Sequence, residues 1–335
     1  MSQENVEVSA ENSELLDRSK DIIEKINSSI SSRVVGQDLL KRRLLTALIA
    51  DGHVLLEGVP GLAKTLSIKA LSESVDGTFQ RIQFTPDLLP ADLVGTEIFR
   101  HEQAKFEVRK GPVFANFVLA DEINRAPAKV QSALLETMQE RQVTIGQETF
   151  HVPSPYFVLA TQNPIEQEGT YPLPEAQIDR FLLKVKVTYP SKSEELKMLD
   201  LVTSADFGKV NTDNPVASLS DIWTLRDAVN TVYVDERIKQ YIVNLVHATR
   251  SPREFDLNLE SLIELGASPR ATISLFLCAR AEALLSGAKF VVPQHVKDIA
   301  YDVLRHRIMP TYEAQAQGLT PDNLVERVLE GVLVP

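Results

Sequence analysis

Cysteine is nearly absent from this chain of 335 residues, in which Cys278 is the single example. No disulfide can therefore form within the chain, as is typical of proteins from a reducing compartment. The six histidines are scattered and show no metal-ligand spacing. No apolar run reaches the roughly 18 residues of a membrane span, and residues 1–13 lack the apolar core of a signal peptide. We expect a cytoplasmic protein without a membrane span.

An excess of positive charge is also missing. The chain has 35 basic and 46 acidic residues and a net charge of −11. Proteins that grip phosphate backbones usually carry the opposite balance, so nucleic acid is not the expected partner. Apolar residues make up 44 % of the chain, which is ample for a globular core. At this length the core is expected to divide into two packed units.

Short apolar runs alternate with helical patterns in the first half of the sequence. This alternation predicts an α/β fold with a parallel sheet covered by helices on both faces. A helix is also predicted over residues 14–30, and Asp38 is predicted to cap the next one. The five predicted strands are residues 53–56, 81–84, 117–120, 157–160 and 185–187.

Two stretches interrupt this alternation of strands and helices, and the carboxyl-terminal part of the sequence has a different pattern. Residues 95–112 and 141–153 have the alternating pattern of β-hairpins, the second with Gly146 at its turn. From residue 193 onward the pattern is helical, apart from a polar loop predicted at 203–221. The predicted divisions are a tail and helix at 1–30, an α/β domain at 31–189 and an all-α domain at 190–335.

A glycine-rich segment, Gly58-Val59-Pro60-Gly61-Leu62-Ala63-Lys64-Thr65, follows the first predicted strand. It fits the phosphate-loop pattern except that Ala63 replaces the glycine before lysine. In such a loop the backbone N–H groups and the helix start bind phosphate, the lysine adds a charge and the threonine hydroxyl binds Mg²⁺. The alternative is a chance turn between a strand and a helix.

Two further predicted strands end in polar residues. Asp121 and Glu122 follow one, where Asp121 would hold the water shell of Mg²⁺ and Glu122 would deprotonate the attacking water. Asn163 follows the other and would position that water, with Thr161 and Gln162 as weaker candidates. Taken singly, these motifs could be a solvated acidic turn and an Asn-Pro turn.

With these motifs in order, the chain resembles the AAA+ ATPases, and within them the MoxR family of the helix-2-insert clade. The resemblance is carried by VGQ (35–37), GVPGLAKT (58–65), LADEINRAP (119–127), ATQNP (160–164), GTYPLPEAQIDRF (169–181) and GASPRA (266–271). It implies an αβα P-loop sandwich with a five-stranded sheet and a helical lid. It also implies a homo-oligomer, usually a hexameric ring, with ATP between neighbours and the two hairpins toward the pore or a partner.

The resemblance assigns roles residue by residue. Lys64 and Thr65 match Walker A, Asp121 and Glu122 match Walker B, and Asn163 matches sensor 1. Arg180 matches the arginine finger and Arg270 matches the sensor 2 arginine. ATP and Mg²⁺ are the implied cofactors, with Thr65 and Asp121 as the metal site. The segment 34–37 resembles the loop that lines the adenine pocket. The residues expected to bind the nucleotide are Val35, Gly36, Gln37, Gly58, Pro60, Gly61, Leu62, Ala63, Lys64, Thr65, Leu66 and Asp121.

The two arginines also have a physical rationale, because a guanidinium neutralises charge on the γ-phosphoryl oxygens in the transition state. Ser268 and Pro269 predict a helix start, which would place Arg270 in its first turn. The alternative for Arg180 is a surface ion pair with Asp179 or Glu175, and Arg270 has a similar structural alternative. Arg125 is another candidate to reach across the interface between neighbouring copies. Gln83 is a candidate to couple Glu122 to the contacts between copies in the ring.

The predicted function is therefore an ATP-hydrolysing ring that remodels or matures partner proteins, with an unknown client. The resemblance implies a von Willebrand factor A-domain protein as partner. A ring translocase on DNA is one alternative, because the first hairpin carries Arg100, Lys105, Arg109 and Lys110. A chelatase-type motor subunit for metal insertion is the other.

Overall fold

A five-stranded parallel sheet forms the centre of the nucleotide domain in a computed structural model that describes residues 10–59, 61–62, 64–163, 170–203 and 215–335. Its strands are β1 (Val54–Glu57), β2 (Phe79–Gln83), β5 (Phe117–Asp121), β8 (Phe157–Gln162) and β9 (Leu183–Lys186). All five predicted strands are confirmed, with ends shifted by up to two residues. The strand order is β2-β5-β8-β1-β9, and every neighbouring pair is parallel.

Helices cover the sheet, as the alternation of patterns predicts. The long first helix packs against the third, and both bury their apolar residues in one core. The second helix begins differently from the prediction, because Gln37 rather than Asp38 is its N-cap and adopts a left-handed conformation. The helices of this half are α1 (Ala10–Ser31), α2 (Asp38–Ile49), α3 (Lys64–Ser74), α4 (Pro90–Val94), α5 (Ala128–Glu140) and α6 (Glu175–Ile178).

Both predicted hairpins are present. The first consists of β3 (Gly95–Arg100) and β4 (Lys105–Lys110) and follows directly on α4. The second consists of β6 (Gln142–Ile145) and β7 (Glu148–His151) and precedes β8. The two lie against each other, and the Lys110 ammonium sits over the rings of Phe114 and Phe150 at 5.0 and 4.7 Å. Membership of the helix-2-insert clade stays a prediction.

The carboxyl-terminal part is a helical lid, but it is not entirely α-helical. Two short strands, β10 (Ile263–Leu265) and β11 (Met309–Pro310), form an antiparallel pair. They are too short and too far apart in sequence to show a strand pattern. The described lid helices are α7 (Lys192–Thr203), α8 (Leu219–Thr231), α9 (Glu236–Ala248), α10 (Pro269–Leu285), α11 (Pro293–Leu304), α12 (Tyr312–Ala316) and α13 (Pro321–Gly331).

A buried ion-pair network joins the lid to the nucleotide domain. Arg43 of α2 contacts Glu282 of α10 and Asp302 of α11, each at 2.6 Å, and all three side chains are almost fully buried. Substitution of one member of such a network would strongly destabilise the fold, because the charge of its partner would be left buried and unpaired. The exact domain boundaries stay a prediction. Across the described ranges, no helix combines the length and the apolar character needed to cross a membrane.

Candidate active site

The glycine-rich segment lies between β1 and α3, where the sequence predicts a phosphate loop. A Cβ atom on Gly58 would lie 2.8 Å from the Val187 carbonyl oxygen, so a side chain does not fit there. Gly61 has a φ of +85°, which glycine adopts without strain. Lys64 opens α3 and donates a hydrogen bond from Nζ to the Gly58 carbonyl at 2.7 Å. The predicted contacts of Pro60 and Ala63 lie outside the described residues.

A cavity of about 410 Å³ opens beside this loop at the carboxyl end of the sheet. It gathers the loop with the ends of β2, β5 and β8, because parallel strands bring their carboxyl ends to one edge. Most of the predicted phosphate, metal and water-positioning residues meet here. The cavity is lined by Gly61, Leu62, Lys64, Thr65, Leu66, Arg81, Gln83, Asp121, Glu122 and Asn163.

Thr161 fixes the acidic pair. Its hydroxyl donates to Asp121 Oδ1 at 2.7 Å and accepts from the Glu122 backbone N–H at 2.8 Å. The sequence suggests Thr161 only as a candidate for positioning water. The structure instead makes it the link between the ends of β5 and β8. Asn163, two residues further on, is 5 % exposed and lines the cavity itself.

Glu122 is held in an unusual backbone conformation, with φ 57° and ψ 52°. A residue other than glycine rarely occupies this left-handed region, and such residues cluster at functional sites. Its carboxylate accepts a hydrogen bond from Gln83 Nε2 at 2.8 Å and lies 3.2 Å from Arg125 Nε. The predicted contact of Gln83 with Glu122 is therefore present. Arg125 also reaches Glu122 within its own chain.

Arg81 is a cavity residue that the motifs do not reveal. Its guanidinium donates to Asp121 Oδ2 at 2.6 Å and to Gln83 Oε1 at 3.1 Å. Residues 81 and 83 share one face of β2, because side chains alternate along a strand. That alternation is the signal that identifies Arg81, once the position of β2 beside β5 is known.

The cavity has the donors that a magnesium–nucleotide complex requires. Mg²⁺ at such sites takes one or two protein oxygens and completes its shell with phosphate oxygens and water. The Thr65 hydroxyl and the Asp121 carboxylate line the same cavity and fit this donor set. Partial burial lowers the pKa of the Lys64 ammonium, while Asp121 and Glu122 oppose the shift.

The predicted adenine loop lies near the phosphate loop but outside this cavity. Gln37 Nε2 donates to the Thr188 carbonyl at 3.1 Å, just beyond β9. The neighbouring Val187 is the residue that packs against Gly58. Val35, Gly36 and Gln37 are therefore connected to the phosphate loop through the end of β9. Their contact with adenine stays a prediction.

Arg180 and Arg270 lie at the opposite, amino-terminal edge of the sheet. Arg180 precedes β9, whereas the phosphate loop follows the adjacent β1, so at least roughly 10 Å of strand separates them. The predicted catalytic residues therefore do not form one cluster within a chain. This edge has a cavity of about 270 Å³. Its charged lining residues are Asp51, Arg141, Asp179, Arg180, Arg270 and Arg307.

The contacts of the two arginines do not match the alternative in which Arg180 forms a surface ion pair with Asp179 or Glu175. Asp179 pairs with Arg307 at 2.7 Å and faces Arg270 at 3.6 Å, so it is not the partner of Arg180. Within the described ranges, the Arg180 side chain has no ion pair or hydrogen bond. Ser268 is the N-cap of α10, as predicted, and accepts from the Arg270 backbone N–H at 3.2 Å. The Arg270 side chain is half exposed.

Two family descriptions match the chain in the order that the fold shows. Residues 53–183 match an ATPase family associated with various cellular activities (AAA), and residues 257–328 match an AAA lid domain. These segments correspond to the sheet with the phosphate cavity and to the carboxyl-terminal half of the lid.

Individual relatives match almost the whole chain. Chaperone MoxR1 of Mycobacterium tuberculosis is 48 % identical over 318 residues, which cover 93 % of this chain and 82 % of that protein. Protein MoxR of Methylorubrum extorquens is 31 % identical, over 94 % of this chain and 96 % of its own. A crystal structure of a candidate ATPase from Cytophaga hutchinsonii superimposes with a TM-score of 0.90 at 48 % identity, covering 96 % of this chain and 98 % of that one. The chain belongs to the MoxR family of AAA ATPases.

Proposed function

We propose that the chain hydrolyses ATP at a site shared between two copies of itself. One observation carries this proposal: the phosphate cavity and the side chains of Arg180 and Arg270 lie at opposite edges of the sheet. An arginine at the far edge cannot reach the phosphates of its own chain. A repeated head-to-tail contact would bring the arginine edge of one copy to the cavity of the next, and such contacts close into rings.

Each residue then has a task in phosphoryl transfer. Lys64 and the loop N–H groups bind the phosphates, and Thr65 and Asp121 would hold Mg²⁺, which would supply positive charge to the phosphate oxygens. Glu122 accepts the proton of the attacking water, and Asn163 orients that water. Arg180 and Arg270 of the neighbouring copy stabilise the charge that develops on the γ-phosphoryl group.

The work done with this ATP is proposed to be the remodelling or maturation of a partner protein. The name of the relative Chaperone MoxR1 supports this assignment. A hexameric ring and a partner with a von Willebrand factor A domain belong to the same proposal. The client remains to be identified by capture on a Glu122→Gln variant that binds ATP without turning it over.

Binding of DNA is a weaker candidate. Two of the four basic residues on the first hairpin are already engaged, because Arg100 pairs with Glu107 at 2.7 Å and Lys110 sits over two aromatic rings. Electrophoretic mobility shifts with single- and double-stranded DNA test this point. Tight binding that weakens steeply with salt would favour a translocase instead.

Mixing of two inactive variants tests the shared site. Arg180→Ala alone should lower the ATPase rate on the order of 10³-fold, because the transition-state charge loses its partner. Lys64→Ala alone should lose ATP binding. Mixed together, Arg180→Ala supplies an intact cavity and Lys64→Ala an intact arginine edge, so activity should return. Absence of any rescue between two folded, oligomeric variants contradicts the proposal.

A further inference from the structure

The segment that carries Arg180 is held by a residue of the lid. Four residues, 179–182, connect α6 to β9. Arg307, just beyond α11, donates from Nη2 to the carbonyls of Asp179 at 3.2 Å and Phe181 at 2.8 Å, and from Nη1 to that of Leu182 at 3.3 Å. Arg180 therefore projects from a backbone whose carbonyls are fixed on both sides of it.

Every donor of Arg307 is used. The remaining two bonds run from Nε to Asp179 Oδ1 at 2.7 Å and from Nη1 to the Val303 carbonyl at 2.6 Å. A guanidinium has five N–H donors in a planar fork, so all are satisfied. The side chain is 2 % exposed, and a lysine, with three donors on one nitrogen, cannot reproduce these contacts.

Asp179 extends the connection to the second arginine. One carboxylate oxygen accepts from Arg307, and the other accepts from the Ser268 hydroxyl at 2.9 Å. Ser268 caps α10 directly before Arg270, whose guanidinium lies 3.6 Å from the same carboxylate. The ion pair of a buried Arg307 with a partly buried Asp179 thus joins the backbone on either side of Arg180 to the helix start that carries Arg270.

We infer that Arg307 and Asp179 are positioning residues that present Arg180 and Arg270 to the neighbouring copy as one unit. The inference rests on the proposed shared site. It assigns the lid a direct part in hydrolysis, because the lid supplies Arg270 and also fixes the geometry of Arg180. Misplacing a catalytic group by about 1 Å can lower a rate on the order of 10²-fold, so loss of this pair should act on the rate rather than on ATP binding.

Arg307→Lys tests the inference, with Arg305→Lys as the matched control. Arg305 lies two residues away and bonds Asp302, Asp322 and the Lys184 carbonyl, but not residues 179–182. We expect Arg307→Lys to lower the ATPase rate about 10- to 100-fold with ATP affinity within about twofold of wild type. Arg305→Lys should keep its rate within about threefold, since it leaves the arginine edge intact.

Mixing shows whether the defect lies at the arginine edge. Addition of Lys64→Ala subunits should restore activity to Arg307→Lys, because they supply an intact edge to its cavities. A general loss of structure would not be rescued in this way. If Arg307→Lys does not fold, Asp179→Asn is measured in its place, since it keeps the shape of the side chain and removes the charge that Arg307 and Arg270 both face.

Three results overturn the inference: a wild-type rate in Arg307→Lys, an equal loss in Arg305→Lys, or no rescue by Lys64→Ala. Arg180→Ala, mixed in parallel, separates this failure from failure of the shared site. If Arg180→Ala is rescued while Arg307→Lys is not impaired, only the positioning role is wrong. If Arg180→Ala is itself unimpaired or never rescued, the shared site is wrong.

Discussion

The two edges of the central sheet both carry charged side chains, yet these are held in different ways. At the carboxyl edge, Asp121 and Glu122 are fixed by neighbouring strands, through Thr161, Arg81 and Gln83. At the amino edge, the arginines depend on the lid, through Arg307 and the α10 start. A perturbed lid should therefore disturb the neighbour's reaction while leaving phosphate binding in its own chain intact.

Loss of the proposed base should give the largest effect at the carboxyl edge. Glu122→Gln should lower ATP turnover on the order of 10³-fold, since general bases contribute about 10² to 10⁴. ATP binding should persist, because the amide keeps the size of the side chain. Steady-state hydrolysis and equilibrium binding measure the two quantities. Glu140→Gln, at an exposed carboxylate at the end of α5, is the control, and equal turnover in both variants would contradict the assignment.

Removal of the strand-linking hydroxyl should have an intermediate effect. Thr161→Val leaves the Glu122 N–H without its acceptor and Asp121 without one donor. We expect about 1–3 kcal/mol less stability, from the cost of unpaired buried polar groups, and a rate about tenfold lower as the carboxylates shift. Denaturant unfolding and ATPase assays report the two.

Thr137→Val is the matched control for that variant. Thr137 is also buried, but among the residues that the structure describes its hydroxyl bonds only the Ala133 carbonyl within α5. Thr137→Val should lower the free energy of unfolding and leave the ATPase rate unchanged. A rate that falls equally in both variants would mean that Thr161 has no special connection to the acidic pair.

Acid should destabilise the folded protein through two buried imidazoles at the amino edge, and this is the smallest of the expected effects near neutral pH. Burial, with Arg141 adding to it, lowers the pKa of His53 from 6.5 to about 3. Burial also lowers the pKa of His306, which contacts the Phe181 carbonyl, well below its ordinary value. Both imidazoles are therefore neutral in the folded protein.

The sign of the pH dependence follows from this difference. Between about pH 6.5 and 3 the unfolded chain binds protons at His53 that the folded chain does not, so stability falls as the pH falls. Urea unfolding at pH 7.5 and pH 5 should show the decrease. His53→Asn should show a smaller one, because asparagine can accept from the Val158 N–H without titrating. If the stability of this variant falls between pH 7.5 and pH 5 by as much as that of the wild type, His53 does not contribute to the pH dependence.

The sequence predicts the carboxyl edge better than the amino edge for a physical reason. The parallel strands of alternating α/β units all end at the carboxyl edge of the sheet. Their last residues directly follow apolar runs in the sequence, and such runs are easy to recognise. Lys64, Asp121 and Asn163 are found in this way. Arg81 is missed, because its role depends on β2 lying beside β5, which local pattern does not reveal.

The contacts at the amino edge are separated widely along the chain. Asp179 and Arg307 are 128 residues apart, and β10 and β11 pair across more than 40 residues. No periodicity encodes such pairs, so the sequence identifies Arg180 and Arg270 but not what holds them. The N-cap at Gln37 is missed for a different reason, because its side chain makes no capping hydrogen bond to the helix.

Pairwise mixing of variants tests the separation of the two edges most directly. Each of Lys64→Ala, Arg180→Ala and Arg270→Ala is prepared as a folded protein, and the ATPase rate of each 1:1 mixture is measured. Lys64→Ala with Arg180→Ala should recover up to about a quarter of the wild-type rate, the share of contacts that join two intact edges in a random ring. Arg180→Ala with Arg270→Ala should recover nothing, since both lie on one edge. Rescue in the second mixture, or none in the first, would contradict a site divided between the two edges.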